Sequence, residues 1–262
     1  MNKTNKLKQA LYSGNDVIGT WSSLSSSNVV NVLGSTKLDF VVIDMEHGSM
    51  SFETVEDMVR AAESSDISPI IRVYDDHEQT LLRALETGVR SIMVPHINTA
   101  EEANRVARCC KYYPKGNRGL SPYTRLHNYT HIDISDSLQN ENQETLVGIL
   151  VEGEQGLANL NEIVKVKGID LIYLGLFDIC QSVGLPGQLD HPKVLDEIKR
   201  CGDLIRAQGI SAGSMSTNIE YIKMLMNLNY NFIAYLNDAA SIKFHFDDML
   251  LQLDNSNNKL MQ

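Results

Sequence analysis

Short apolar runs alternate with amphipathic segments along almost the whole chain. Eight runs are too short for helices and mostly rich in valine and isoleucine, so they predict buried strands at 17–21, 40–44, 69–73, 91–95, 146–152, 171–175, 210–213 and 232–236. Helical spacing of the apolar residues predicts helices at 54–63, 78–87, 100–112, 157–165, 192–208, 218–227 and 239–253. The pattern is therefore a series of strand–helix units.

About eight such units, most of them roughly 25 to 30 residues long, define the predicted fold. Repeated strand–helix units favour a parallel sheet with right-handed crossovers, and eight at this length most simply close into a (β/α)8 TIM barrel. An open doubly wound sheet is the alternative, but no GxGxxG motif follows the first strand. We therefore predict an α/β protein in which residues 1–262 form a single barrel domain.

Two segments depart from this regular spacing. Residues 113–145 form a long stretch rich in Gly, Asn, Pro and Tyr, which predicts an inserted loop that serves as an active-site lid or a subunit contact. Residues 254–262 are polar and predict a frayed tail. Neither segment predicts a second domain.

Composition and charge narrow the function classes. The 262 residues carry 23 Lys and Arg against 33 Asp and Glu, a net charge of −10. This acidity disfavours a nucleic-acid partner, and it means that an anionic substrate needs positive charge placed locally. No apolar run of about 18 residues or more predicts a membrane span, and residues 1–15 lack the apolar core of a signal peptide. The four cysteines form no CxxC pair, so a reduced cytoplasmic protein is expected.

Side chains capable of chemistry fall at the ends of the predicted strands. Barrel enzymes place their active sites on the loops at the carboxyl ends of the strands. In this chain those positions hold Trp21, Asp44, Glu46, His47, Arg72, Glu152 and the segment from Gly175 to Asp178. Polar and ionisable groups are thus predicted to share one rim, which favours an enzyme.

Glu152 and Asp178 are the predicted metal ligands. They lie 26 residues apart, one strand–helix unit, so their carboxylates are expected on neighbouring strands. Two carboxylates, with water and a bidentate ligand in the other positions, suit an octahedral hard cation such as Mg²⁺ or Mn²⁺, with Co²⁺ as a further candidate. The structural alternative is that Glu152 only caps or pairs within a loop that also carries Glu154.

Arg72 and His47 are the predicted catalytic groups. Arg72 follows an apolar strand, so its guanidinium is expected to emerge where it meets an anion as a two-pronged donor. His47 is a candidate general base, with Asp44 three residues earlier to hold one tautomer. The alternatives are a structural ion pair of Arg72 with Asp44, Glu46 or Glu86, and a purely structural His47.

Other residues carry weaker signals. Trp21 either lines the pocket or plugs the barrel, and the residue type favours neither. Cys180 lies near Asp178, but nothing around it marks an activated thiolate. The remaining histidines have no ligand-like spacing with one another: they are His77, His96, His127, His131, His191 and His245.

The strand-end motifs resemble those of the HpcH/HpaI aldolases, the class II metal-dependent pyruvate aldolases of the phosphoenolpyruvate/pyruvate barrel superfamily. The resemblance covers roughly residues 15–251. It rests on the order and spacing of GTW at 19–21, DFVVIDMEHG at 39–48, PIIRV at 69–73, LETGVRSIMVPHINTAEEA at 85–103, YPKGNRGLSP at 113–122, LVEGEQGLANLNEI at 150–163 and DLIYLGLFDI at 170–179.

The resemblance implies a role for each matching residue. Glu152 and Asp178 correspond to the two protein ligands of a divalent metal. Arg72 corresponds to the group that binds the ketoacid carboxylate and steadies the enolate oxygen. His47, assisted by Asp44, corresponds to the base for the aldol hydroxyl. The expected substrate contacts are Arg72, Trp21, Gly175, Phe177 and Glu86.

The reaction implied by the resemblance is the reversible cleavage of a 4-hydroxy-2-oxo acid to pyruvate and an aldehyde through a metal-stabilised enolate. The expected partners are then a small-molecule 2-oxo acid and an aldehyde. Barrels of this family tend to exchange their last helix, so the resemblance implies a homo-oligomer, from dimer to hexamer, built through residues 239–253. Glu86 falls where the family often has an acidic residue that contacts the site or a neighbouring subunit.

One departure from the family pattern leaves the acceptor substrate open. The family usually has GP-x-D at the metal-binding aspartate, whereas this chain has Gly175-Leu176-Phe177-Asp178. The bulky Phe177 is expected to narrow the pocket or alter backbone contacts to the ketoacid. A citrate-synthase-like condensing enzyme, which joins an acyl-thioester enolate to a ketoacid, is therefore the alternative. A degenerate barrel that serves as a scaffold is a third hypothesis, which the complete set of site residues disfavours.

Overall fold

Eight parallel strands close into a barrel, as the strand–helix pattern predicts. The computed structural model describes residues 4–260, with side chains described through residue 254. The strands follow one another around the barrel in chain order, and β1 also pairs with β8. Their bounds are β1 Val17–Ser22, β2 Phe40–Asp44, β3 Ser68–Arg72, β4 Ser91–Val94, β5 Leu146–Val151, β6 Leu171–Leu174, β7 Ser211–Ser216 and β8 Phe232–Asn237. The (β/α)8 prediction is confirmed, and each strand overlaps the run that predicted it.

Helices connect the strands and cover the barrel. They are α1 Lys6–Tyr12, α2 Ser27–Gly34, α3 Phe52–Ser64, α4 Glu78–Glu86, α5 Ala100–Cys109, α6 Ile134–Glu144, α7 Glu154–Ala158, α8 Leu160–Ile163, α9 Leu176–Ser182, α10 Pro192–Ala207, α11 Ile219–Asn227 and α12 Asp238–Leu260. The pattern does not predict α1, α2, α6 or α9, which have 11 residues or fewer. The helix predicted at 157–165 is instead the pair α7 and α8.

Two apolar layers hold the barrel together. Alternate strand residues point inward and form one cluster, in which the Phe40 and Phe232 rings stack with centroids 4.0 Å apart. The other strand residues face the helices and form a larger cluster. Leu7 and Leu11 of α1 join the inner cluster, so α1 closes the amino end of the barrel. Barrel enzymes have their active sites at the opposite end, where the strands reach their carboxyl ends.

Residues 113–145 lie at the amino end of the barrel. The segment joins the end of α5 to the start of β5, and both lie at this end because the helices run antiparallel to the strands. Local contacts order it: Arg125 Nη1 donates to the Thr87 carbonyl at 2.9 Å, and the Asn142 side chain bonds both the amide and the carbonyl of Tyr112. The prediction of a lid is therefore wrong for this barrel's own rim, while a subunit contact stays a prediction.

The last helix, α12, is fixed at its start and exposed along its length. Asp238 is buried and accepts hydrogen bonds from Ser22 Oγ at 2.8 Å and from the amides of Ser23 and Leu24. Between this residue and residue 254, seven large apolar side chains are each at least 39% exposed: Ile242, Phe244, Phe246, Met249, Leu250, Leu251 and Leu253. The helix continues to Leu260, so the frayed tail predicted for 254–262 is wrong up to that residue, and residues 261 and 262 lie outside the described part of the chain.

None of the four cysteines takes part in a disulfide. All four cysteines are free and buried. Burial raises the pKa of Cys110 to about 12, and burial likewise raises the pKa of Cys180 beside the site, so both are expected to stay neutral thiols.

Across residues 4–260, no helix combines the length and the apolar character needed to cross a membrane.

Candidate active site at the carboxyl end of the barrel

Asp44 and Arg72 meet where β2 and β3 end. The parallel register pairs these two residues directly. Arg72 Nε donates to Asp44 Oδ1 at 2.8 Å, and Arg72 Nη2 donates to the other carboxylate oxygen. Arg72 Nη1 lies 3.1 Å from Glu46 Oε2, a buried oxygen for which no hydrogen bond is made. The ion pair that was the structural alternative for Arg72 is therefore present, and it fixes the guanidinium in place.

Trp21 forms the floor beneath Arg72. The guanidinium carbon of Arg72 lies 4.4 Å from the centroid of the Trp21 ring, a cation–π arrangement. The indole Nε1 donates to the Tyr173 hydroxyl at 3.2 Å, and the two rings meet edge to face. Trp21 also belongs to the inner apolar cluster. It therefore both plugs the barrel and supports the arginine.

Glu46, His96 and Glu152 form a compact group on the same rim. One candidate ligand atom from each lies within 4.8 Å of the others. His96 Nε2 is 2.8 Å from Glu46 Oε1, and His96 Nδ1 is 3.2 Å from Glu152 Oε1. The His96 amide also donates to Glu152 Oε1 at 3.1 Å. Burial raises the pKa of Glu152, and the hydrogen bond from the His96 amide acts in the opposite direction.

Gly175 brings Glu152 and Asp178 together. It follows β6 and directly precedes α9, whose first turn carries Asp178. A Cβ at residue 175 would stand 2.5 Å from Asp178 Oδ2 and 3.3 Å from Glu152 Cβ. Any side chain at this position would therefore fill the space beside the two acidic residues, so the site requires glycine. The structure places the two acidic residues on the same side of the barrel, as the sequence predicts, and metal binding by them stays a prediction.

Asp44 and His47 are not arranged as predicted. Asp44 Oδ1 accepts hydrogen bonds from the backbone amides of Glu46 and His47, at 3.1 and 3.2 Å, in addition to the bond from Arg72. The His47 residue itself is exposed. Asp44 therefore shapes the turn after β2 and holds Arg72, and its two oxygens do not fix an imidazole tautomer. The physical reason is that an aspartate just before a turn readily accepts bonds from the nearest backbone amides.

Two further predicted substrate contacts lie at opposite ends of the barrel: Glu86 at the amino end and Phe177 at the carboxyl rim. Glu86 is the last residue of α4, which leads from the rim back to the amino end, and it pairs with Arg118 at 3.2 Å. The prediction that Glu86 contacts substrate is therefore wrong for the chain's own rim, because the two ends of such a helix lie at opposite ends of the barrel. Phe177 lies beside Asp178 and is 51% exposed, so the expected narrowing of the pocket stays a prediction.

His96 is the site residue that the sequence pattern missed. Its partners Glu46 and Glu152 are 50 and 56 residues away, so no short motif links the three. The available signal was its position just after β4, at a strand end like the other site residues. The backbone of His96 has a φ of +59°, which turns the chain sharply at this point and directs the residue across the rim.

Comparison with known proteins identifies the family. The family model for HpcH/HpaI aldolase/citrate lyase matches residues 17–242. A hydroxypyruvate/pyruvate aldolase of Roseobacter denitrificans is 31% identical over 239 residues, which are 91% of this chain and 93% of the relative. A HpcH/HpaI aldolase/citrate lyase family protein from Burkholderia cenocepacia J2315 matches with a TM-score of 0.89 at 26% identity, over 96% of this chain and 100% of that chain. The citrate synthase SbnG matches with a TM-score of 0.85 at 27% identity, over 96% and 98%. The chain belongs to the HpcH/HpaI aldolase/citrate lyase family, as its motifs predict.

Proposed function

We propose that this chain is a class II, divalent-metal-dependent aldolase that reversibly cleaves a 4-hydroxy-2-oxo acid to pyruvate and an aldehyde. The observation that carries the proposal is the acidic rim, where Glu152 and Asp178 flank Gly175 close to the clamped Arg72. Family membership supports carbon–carbon lyase chemistry. The similarity to a hydroxypyruvate/pyruvate aldolase supports a 2-oxo acid as the substrate class.

The donor set fits a hard divalent cation. Glu152 and Asp178 offer carboxylate oxygens, the ligands that suit Mg²⁺ and Mn²⁺, and Co²⁺ is a further candidate. Gly175 keeps the space beside both residues clear of a side chain. When bound, the cation supplies a Lewis acid for the carboxylate and keto oxygens of the 2-oxo acid.

Arg72 binds the substrate and stabilises the charge that develops on its keto oxygen. Asp44 engages Nε and Nη2 of Arg72, and the Trp21 ring supports the guanidinium plane, so the donor is fixed before the substrate arrives. The Nη1 side, next to Glu46, is the part of the guanidinium that we assign to the substrate. A preorganised donor of this kind needs no rearrangement during the reaction, which is why such groups contribute strongly to catalysis.

His47 acts as the base for cleavage. The C4 hydroxyl proton passes to the imidazole, the C3–C4 bond breaks, and its electron pair stays with the pyruvate fragment while C4 leaves as the aldehyde carbon. His47 lies on the turn after β2 that Asp44 organises, next to the Arg72 clamp. A ring nitrogen of a neutral imidazole can accept a proton, so histidine is a common general base.

Chelation and one substitution test the proposed mechanism together. Retro-aldol cleavage, followed as pyruvate release, is expected to stop with EDTA and to return with Mg²⁺ or Mn²⁺. Arg72→Ala is expected to lower kcat/KM by about 10² to 10³. The matched control is Glu162→Gln, which alters an exposed carboxylate of α8 outside the rim and is expected to leave kcat/KM unchanged. Activity that persists both in EDTA and in Arg72→Ala contradicts the mechanism.

A condensing enzyme is the second candidate function. It is favoured by the structural similarity to the citrate synthase SbnG, which extends over 96% of this chain. The same rim would then hold a ketoacid while an acyl thioester supplies the enolate. Incubation with oxaloacetate and acetyl-CoA distinguishes the two candidates, because condensation releases a free thiol and aldol cleavage does not.

We also propose that a second copy of the chain covers α12 in a homo-oligomer. Through residue 254 the helix carries seven exposed apolar side chains after its buried first residue, and contiguous exposed apolar patches mark interaction surfaces. An exchange of this helix between barrels fits the firm attachment of Asp238 to β1. Light scattering is expected to give a dimer or larger, and Phe246→Glu is expected to shift the protein towards monomer. A monomeric wild-type chain contradicts the proposal.

A further inference from the structure

His96 has two carboxylate partners although its side chain is exposed. Its Nε2 lies 2.8 Å from Glu46 Oε1 and its Nδ1 lies 3.2 Å from Glu152 Oε1, while 65% of the side chain faces solvent. The backbone holds it there: its amide donates to Glu152 Oε1, and its carbonyl accepts a hydrogen bond from Asn98 Nδ2 at 2.9 Å. The φ of His96 is +59°, a left-handed conformation that is uncommon for residues other than glycine. Backbone hydrogen bonds and contacts of the ring nitrogens thus together hold the imidazole between Glu46 and Glu152.

We propose that His96 is a nitrogen ligand of the divalent cation that Glu152 binds, which gives the centre a mixed oxygen and nitrogen donor set. The inference rests on the metal site of the proposed function. Its basis is that Glu46, His96 and Glu152 each offer a ligand atom within 4.8 Å of the others. Neighbouring ligands of an octahedral cation with bonds of about 2.1 Å stand about 3 Å apart. The 3.2 Å between His96 Nδ1 and Glu152 Oε1 is close to that separation.

The contacts also assign a role to each ring nitrogen of His96. Histidines that bind metals commonly donate the other ring N–H to a carboxylate, which fixes the tautomer and the ring orientation. Here Nε2 faces Glu46 and Nδ1 faces Glu152. Nδ1 is therefore the ligand atom, and Nε2–H donates to Glu46. Glu46 is itself placed by Arg72, whose Nη1 lies 3.1 Å from its other oxygen.

A nitrogen ligand changes which metals the centre prefers. Carboxylate and water suit Mg²⁺ and Mn²⁺, whereas imidazole increases the affinity for metals later in the first row, such as Co²⁺. Loss of the imidazole is therefore expected to weaken Co²⁺ binding much more than Mg²⁺ binding. A purely structural contact between His96 and the carboxylates predicts no such difference between metals.

Pulsed EPR of the Mn²⁺-loaded protein tests the assignment directly. Electron spin echo envelope modulation is expected to show a coordinated ¹⁴N in the wild type and in His77→Gln, a control histidine at the start of α4. The coupling is expected to disappear in His96→Gln. A coupling that remains in His96→Gln, or that disappears only in His47→Gln, overturns the assignment.

Calorimetry of metal binding, without substrate, provides a second readout that does not depend on activity. His96→Gln is expected to raise the Kd for Co²⁺ about tenfold or more and to change the Kd for Mg²⁺ less than about threefold. If the wild type binds neither metal, the proposed metal site fails and the role of His96 fails with it. If the wild type binds both metals and His96→Gln binds Co²⁺ equally well, only the role of His96 is overturned.

Discussion

The two ends of the barrel use charge differently. At the amino end, acidic and basic groups pair one to one at two places: Arg90 Nη2 lies 2.5 Å from Glu141 Oε1, and Lys8 Nζ lies 3.1 Å from Asp170 Oδ1. At the carboxyl rim, carboxylates outnumber the basic side chains that they contact, which are Arg72 and His96. The rim carboxylates are Asp44, Glu46, Glu152 and Asp178. Because gathering like charges away from water is costly, the paired charges stabilise the fold, whereas the excess of carboxylates at the rim supports the proposed cation site.

The amino end also has a cavity, away from the proposed site. A cavity of about 580 Å³ opens at the amino end, with Lys8, Tyr12, Lys111 and Asp170 in its lining. Lys8 and Lys111 both donate to the Thr145 carbonyl, at 2.7 and 2.6 Å, just before β5 begins. These bonds hold the end of the 113–145 segment against the barrel. The proposal of a site at the carboxyl rim therefore rests on the balance of charge and not on cavity volume.

Removing a rim carboxylate is expected to have the largest effect on function. Glu152→Gln and Asp178→Asn each take away a proposed ligand, so divalent-metal affinity and kcat/KM are both expected to fall by about 10³ or more. Steady-state kinetics over a range of Mg²⁺ concentrations measures both quantities. A matching loss in Glu141→Gln, which changes a carboxylate at the other end, contradicts the distinction between the two ends.

Arg72→Lys is expected to have the next largest effect on activity. Lysine keeps the charge but loses the planar fork that bonds Asp44 at two points, so the cation at this position is no longer fixed. We expect kcat to fall about 10²-fold with a smaller change in metal affinity. Full activity in Arg72→Lys shows that orientation of the guanidinium is unimportant, contrary to the proposed role.

At the amino end, Glu141→Gln is expected to affect stability alone. Glu141 is buried and receives both Nε and Nη2 of Arg90, so its neutralisation leaves a cation with a weakened partner. The free energy of unfolding is expected to fall by about 3 kcal/mol, while kcat/KM of the folded protein stays within about twofold. Urea denaturation followed by circular dichroism measures the first quantity. An unchanged unfolding free energy means that the pair contributes nothing to the fold.

The smallest expected effect is a pH dependence from Lys111. Burial lowers the pKa of Lys111 from 10.5 to about 8. Between these values the unfolded chain binds more protons than the folded one, so the free energy of unfolding rises with pH, by at most about 1.4 kcal/mol per pH unit. Below pH 8 both states are charged, and the cost of burial is fully present.

Denaturation at pH 8, 9 and 10 checks this sign. Lys111→Met is expected to flatten the rise, and Lys167→Met, which alters an exposed amine in the lining of the same cavity, is expected to keep it. A wild-type protein that loses stability from pH 8 to 10, with no change in Lys111→Met, contradicts the assigned pKa.

The sequence predicted the barrel and the residues of its rim, because both depend on local pattern. Runs rich in β-branched residues predicted the strands, and the carboxyl ends of β2, β3, β5 and β6 pointed to Asp44, Arg72, Glu152 and the segment around Gly175. The short helix α1 was not predicted because its seven residues are too few to show a clear helical periodicity of apolar positions.

The pairing of side chains across the rim was predicted only as an alternative for Arg72, and not at all for His96. Asp44 bonds Arg72 instead of the His47 ring because the register of β2 against β3 sets them side by side. His96 reaches Glu46 and Glu152 because of one positive-φ turn, which no residue pattern announces. The position of residues 113–145 could have been predicted from topology, because a segment that joins a helix to the next strand lies at the amino end of the barrel.

Isothermal titration of the protein with Mg²⁺ or Mn²⁺, with and without oxalate as an unreactive 2-oxo acid mimic, tests the central claim most directly. The wild type and Glu141→Gln are expected to bind the cation, and more tightly when oxalate is present, because the site holds metal and ligand together. Glu152→Gln and Asp178→Asn are expected to lose this binding. Absence of binding in the wild type, or equal binding in Glu152→Gln, would contradict the assignment of the acidic rim as a metal centre.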